Sequence, residues 1–228
     1  MDVIYFLKDR TAFIRQLYCV TSAPYIERIQ KIENEEEPFL LLNSSDEDNG
    51  PAFETEYIEA AESLDTIRLM YLSMLMSALH IYLKTWTKQS RIPVDDECKS
   101  TFKTKGWFWG YSCHFNRQFK IDFNKAPVDL KTLEEIILAR NRIEHQPSIT
   151  SRPQYEAKDY EILKSFSYIG EFSEYLLNEI GFSPFTAPLV SVSEEKLLKA
   201  ISTIEKFAEW FNNELEPKIY PSRSKKNE

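Results

Sequence analysis

Leu64-Asp65-Thr66-Ile67-Arg68-Leu69-Met70-Tyr71-Leu72-Ser73-Met74-Leu75-Met76-Ser77-Ala78-Leu79-His80-Ile81-Tyr82 is the stretch whose reading decides the fold. Leu64, Ile67, Tyr71, Met74, Leu75, Ala78 and Tyr82 recur three or four residues apart, the period of one face of an α-helix. The spacing predicts a helix from Glu54 to about Lys88, the longest in the chain. Its middle is apolar on almost every side, which suits a helix at the centre of a bundle or in a dimer interface. The methionines read as core filling, and His80 reads as a core or interface residue.

Outward from this helix the pattern stays helical. Towards the N-terminus, Val3, Phe6, Leu7, Phe13, Ile14 and Leu17 predict a helix from Val3 to Cys19. Ser22 and Pro24 read as a restart, followed by a short helix through Ile26, Ile29 and Ile32. Residues 43–53 form an acidic loop. Towards the C-terminus, residues 89–127 interleave Trp107, Phe108, Trp109, Tyr111, Phe115, Phe119 and Phe123 with Lys103, Lys105, Arg117 and Lys120. Such a mixture can stack and clamp single-stranded RNA. The plainer reading, a helical connection packed over the bundle, is the one we favour.

A helix capped by Asp129 then runs to about His145, with Pro147 close behind. Weaker helical pieces lie around Asp159–Tyr168 and Glu171–Ile180, the second stopped by Gly181. Pro184 to Pro188 reads as a connector. Ser191-x-x-Glu194 reads as a capping box opening a last helix, with Leu198, Ile201, Ile204, Phe207, Ala208, Phe211 and Leu215 on one face and Pro217 as its end. The expected fold is all-α: an antiparallel bundle of four to five principal helices, with an aromatic-rich insertion before the helix ending at His145. Residues 1–221 make a single domain, and 222–228 a disordered basic tail.

Composition narrows the function classes. The chain has 228 residues, room for one sizeable domain, and only five glycines. A formal net charge of −8 argues against broad nonspecific nucleic-acid binding but allows a small cationic cleft. Cys19, Cys98 and Cys113 are odd in number and widely spaced, which suits three thiols in a reducing compartment. A zinc site on Cys98, Cys113 and His114 lacks a fourth ligand and the usual spacing, so no metal is expected. The N-terminus has no signal-peptide pattern, and the apolar run Leu69–Leu83 is shorter than the roughly 20 residues that span a bilayer. A cytoplasmic protein with no membrane partner is the expectation.

The chemistry concentrates at Arg140-Asn141-Arg142-Ile143-Glu144-His145. Arginine brings a permanent cation with a forked donor array suited to phosphate oxygens. Histidine exchanges a proton near neutral pH. The Arg-Asn-x-x-x-His string at a helix end resembles the signature of the HEPN superfamily, helical-bundle domains of which many are metal-independent endoribonucleases of toxin–antitoxin and other defence systems. The resemblance extends over Glu54–Glu216 as architecture and over these six residues as chemistry. It implies Arg140 and His145 as the catalytic pair, Asn141 as the residue that orients them, and a homodimer that brings two motifs into one cleft. Some family toxins are neutralised by modification of a tyrosine two residues beyond the histidine. That position is Pro147 here, which argues against this mode.

On a regular helix Arg140 lies about 140° around from His145, too far for a tight pair. Either the helix loosens before Pro147 or a second protomer supplies the partner. The expected reaction is attack by the RNA 2′-hydroxyl on the adjacent phosphorus. His145 moves a proton and Arg140 stabilises charge on the phosphoryl oxygens, leaving 2′,3′-cyclic phosphate and 5′-hydroxyl ends. DNA lacks the nucleophile and is excluded as a substrate. Arg142 is a candidate second phosphate contact, and Glu144, four residues after Arg140, a candidate holder of its guanidinium; for both, an ordinary exposed helix charge is the plainer reading. No cofactor is expected. The expected partners are RNA, a second copy of the chain and an antitoxin or defence-system protein. The alternative is a non-catalytic module of the same fold that binds protein or RNA.

Overall fold

The computed structural model describes residues 2–40, 52–146, 148, 151–163, 165–183 and 186–221. The basic tail, Pro147 and most of the acidic loop lie outside these residues. Eight α-helices follow in order: α1 (Val3–Glu33), α2 (Glu54–Ser90), α3 (Asp96–Lys105), α4 (Trp107–Phe119), α5 (Leu130–Glu144), α6 (Ala157–Leu163), α7 (Glu171–Ile180) and α8 (Glu194–Ile219). A single 3-10 turn, Phe123–Lys125, separates α4 from α5. Among the described residues there is no strand, only the isolated bridges Gln154–Leu189 and Ile169–Val190. The chain is an all-α helical bundle, as its periodicity predicts.

Side-chain pairing sets the helix directions. Lys8 meets Glu209, Thr11 and Arg15 meet Glu205, and Tyr18 reaches Glu194, so α1 runs antiparallel to α8. Tyr18 packs on Tyr71 while Arg28 meets Glu59, so α1 is antiparallel to α2 as well. The Tyr82 hydroxyl donates to the Ala208 carbonyl and Tyr220 to Gln89, which makes α2 and α8 parallel. Helix α2 touches α1, α4, α5 and α8, which explains its apolar middle. Among the described residues it is the one helix long and apolar enough to cross a membrane. Leu72, Leu75, Leu79 and Leu83 on it are fully buried within the bundle.

The aromatic segment packs over the bundle, as the plainer reading expects. Phe108, Phe115 and Phe123 are buried and meet Phe207 and Phe211 of α8 at centroid distances of 4.7–5.6 Å. Arg117 is held by Asp95 and Glu97. The Phe108, Phe115 and Phe123 rings are core, while Trp107, Trp109 and Phe119 are partly buried against it.

Four expectations are corrected. Helix α1 does not restart at Pro24 but runs through it to Glu33. A proline inside a helix costs about 3 kcal/mol. Buried Tyr18 and Ser22, and Thr21 bonded to the Leu17 carbonyl and the Tyr71 hydroxyl, fasten the helix to α2 across that position. The cap of α8 is Ser193, whose hydroxyl accepts from the Lys196 amide at 3.2 Å, not Ser191. Val190 and Ser191 spend their amides on Pro153 and Tyr168, so the chain stays extended up to Ser193. In consequence Leu197, not Leu198, enters the core. Pro217 lies inside α8, which ends at Ile219.

The fourth correction is chemical. Cys98 and Cys113 form a disulfide, because α3 and α4 fold back on each other at Gly106 and bring their α-carbons to 5.5 Å. Gly106 adopts φ +86°, a conformation glycine takes at no steric cost. Only Cys19 is a free thiol, and it is exposed. The cysteine count therefore no longer speaks for a reducing compartment.

Beside the disulfide, His114 is fully buried and neither ring nitrogen has a partner among the described residues. Burial pushes its pKa below the ordinary imidazole value, with Asp95 opposing weakly. A histidine with a lowered folded-state pKa contributes stability that is whole above the unfolded value, about 6.5, and is lost as pH falls through the folded one. His114→Leu is expected to weaken the loss of stability on acidification and to be neutral or stabilising at neutral pH. Urea unfolding at neutral and mildly acidic pH, compared with the unsubstituted protein, measures both. An unchanged pH slope would count against the assignment.

Candidate active site

Helix α5 opens on Asp129, whose carboxylate accepts from the Lys131 amide and the Thr132 hydroxyl. Buried Leu133, Ile136 and Ala139 fix its inner face. The helix stays regular to Glu144, and His145 is its C-cap, with its amide donating to the Asn141 carbonyl at 3.0 Å. It does not loosen to bring Arg140 and His145 together. The His145 side chain is exposed, and no hydrogen bond among the described residues joins its ring to Arg140.

Arg140 is mostly buried and held twice. Its Nη1 donates to Asn141 Oδ1 at 3.1 Å, a contact through which Asn141 can orient the guanidinium. Its Nη2 pairs with Glu144, which also accepts from the Ser73 hydroxyl of α2. Glu144 is therefore the holder of Arg140, and Ser73 fixes Glu144 in turn.

Arg142 does not point a free fork towards a substrate. Its Nε and Nη2 bind the two carboxylate oxygens of Asp159 at 2.7 and 2.8 Å, and Nη1 pairs with Glu156. The Arg142 side chain is 12% exposed and that of Asp159 is 0% exposed. Its place as a phosphate contact is withdrawn, because a bidentate pair of this kind leaves little of the donor array free. What the pair does is tie α6 to the end of the motif helix.

Sequence reasoning overlooked a polar line on α2, from which Ser73 meets Glu144 of α5 and His80 meets Trp107 of α4. Ser73, Ser77, His80 and Lys84 recur at spacings of four, three and four, a polar line through an apolar helix. His80 is half-buried, stacked on Trp107 of α4 at 4.8 Å and 15°, and tilted against Tyr111 at 5.8 Å. Its pKa is lowered by burial first, then by the charges of Lys84 and Arg140. Trp109 of α4 donates to Glu134 of α5 at 3.0 Å, closing the third side. The signal was there in the spacing, but an apolar helix hides four polar residues well.

Next to Ser73 and Ile143 lies a groove of about 670 Å³ between α1 and α2. Phe6, Met70 and Ile81 line it and are 56%, 57% and 62% exposed. Arg10 stands in it without an ion-pair partner among the described residues. No group of three or more metal-ligating side chains is found among the described residues. Comparison with protein-family models, with curated proteins and with solved structures finds no match.

Proposed function

We propose that the protein is a metal-independent endoribonuclease of the toxin or defence type, acting as a homodimer. The observation that carries this reading is the placement of Arg140, oriented by Asn141 and Glu144, five residues before an exposed His145 at the end of an intact helix. With the helix unbroken, Arg140 and His145 do not pair within α5, and in this reading the pair is completed across a two-fold axis. The apolar groove ending at Ile143 supports this arrangement, since exposed apolar surface of this kind marks an interaction site. Arg140 would stabilise the phosphoryl oxygens and His145 would protonate the leaving 5′-oxygen. An antitoxin or other defence-system protein would hold the activity in check.

The test is incubation of the purified protein with RNA in EDTA beside a His145→Ala variant. The unsubstituted protein is expected to give 2′,3′-cyclic phosphate and 5′-hydroxyl ends, and the variant to lose on the order of 10²–10⁴-fold in rate. A substrate with 2′-deoxyribose at the scissile position should resist. Equal cleavage by both proteins, or none by either, counts against the reading.

A second reading is a non-catalytic binding module of the same fold. It is favoured by the ion pairs that hold Arg140 and Arg142 within the chain and by the net charge of −8. It requires a stable complex with a partner, unaffected by Arg140→Ala, and no cleavage.

A further inference from the structure

We propose that His80 is the proton-accepting imidazole of the Arg140 site, taking the 2′-hydroxyl proton of an RNA strand bound where α2, α4 and α5 meet. The inference rests on the ribonuclease reading above and assigns it a residue from outside the motif.

The register of the helices places His80 there. Ser73 is bonded to Glu144, and the links from Trp107 to His80 and from Trp109 to Glu134 put the start of α5 beside the later part of α2. The two helices are therefore antiparallel. Arg140 lies one turn before Glu144 on α5, and His80 two turns after Ser73 on α2, so their levels differ by about one helical turn. Lys84 stands one further turn along the same face.

The His80 ring is also half-buried, with no hydrogen-bond partner among the described residues, so its nitrogens stand available to a ligand or to solvent. Its orientation comes from stacking on Trp107, which fixes the ring plane and leaves the nitrogens open. The charged and titratable groups facing it are Lys84 on α2, Tyr111 on α4, and Arg140 with its partner Glu144 on α5. Burial and the two cations keep the imidazole neutral at neutral pH, the state a general base requires.

The division of labour follows. As the 2′-oxygen attacks phosphorus, its proton passes to His80. The bond from phosphorus to the 5′-oxygen breaks, and that oxygen takes a proton from protonated His145. Arg140 and Lys84 meet the charge on the phosphoryl oxygens. One imidazole ends protonated and the other neutral, and solvent exchange restores both.

The experiment compares kcat/KM on a single-stranded RNA oligonucleotide, across pH, for the unsubstituted protein, His80→Gln and His80→Phe. The phenylalanine keeps the stack on Trp107, so a purely structural role would survive in it. Both variants are expected to keep the native circular-dichroism spectrum, to lose about 10²-fold or more in kcat/KM, and to lose the acid limb of the pH profile. Wild-type rate and profile in either variant overturn the role of His80 and leave the ribonuclease reading standing. An inactive unsubstituted protein removes both. Should the variants fail to fold, the unsubstituted protein decides by histidine NMR with a 2′-O-methyl RNA oligonucleotide, which binds without being cleaved. Perturbation of the His80 ring supports the proposal, and an unmoved ring overturns it.

Discussion

Asp159→Ala is expected to lower the unfolding free energy by about 3–5 kcal/mol, the usual cost of removing one partner from a buried ion pair. Asp159 is fully buried and receives three hydrogen bonds, from Arg142 Nε at 2.7 Å, Arg142 Nη2 at 2.8 Å and the Glu156 amide at 2.8 Å. Without it the guanidinium keeps only Glu156, which is half exposed, and a backbone donor is orphaned. Desolvation makes this loss larger than the net worth of the intact pair. The double substitution Arg142→Met with Asp159→Leu should therefore recover most of the stability, since it removes both charges together. Chemical denaturation of the single and double variants measures the difference. A single-variant loss below about 1 kcal/mol, the range of exposed pairs, would show that the network is not buried in solution.

The same pair shows what the sequence could and could not convey. Periodicity exposed α2, α5 and α8 because each buries a continuous stripe, and Asp129 marked the start of α5 because a capping carboxylate acts on its own helix. Interactions between distant positions were not legible. Arg142 is a motif residue by position, and its partner Asp159 stands seventeen residues away with no local sign of the link. Pro24 reads as a break because its cost is local, whereas the packing of Tyr18 and Ser22 that outweighs it is tertiary. In isolation Ser191, with Glu194 three residues on, has the better capping pattern, and the Tyr168 carbonyl that occupies the Ser191 amide holds the chain extended as far as Ser193. Cys98 and Cys113 meet only because Gly106 reverses the chain. At the candidate site, Arg140, Asn141 and Glu144 interact within one helix and were readable. His80 and Ser73 reach the site from α2 and were not.

Mixing Arg140→Ala with His145→Ala protomers is expected to restore cleavage that neither variant has alone. Each parent should fall by on the order of 10²–10⁴-fold, since every site in it lacks either the phosphate cation or the proton donor. If Arg140 and His145 of one site come from different protomers, a mixed dimer holds one site with both residues and one with neither. Free exchange makes about half the dimers mixed, so the mixture should reach about a quarter of the unsubstituted activity. The expectation follows from the geometry of α5: the helix is intact through Glu144, Arg140 is turned towards Asn141 and Glu144, and His145 projects from the cap without meeting it. His80 travels with Arg140 on the same protomer, so its proposed role does not alter the arithmetic. Size-exclusion chromatography after brief denaturation and refolding verifies that the chains have exchanged. Exchange without recovery would mean that each Arg–His pair forms within one chain, and the composite site would have to be abandoned.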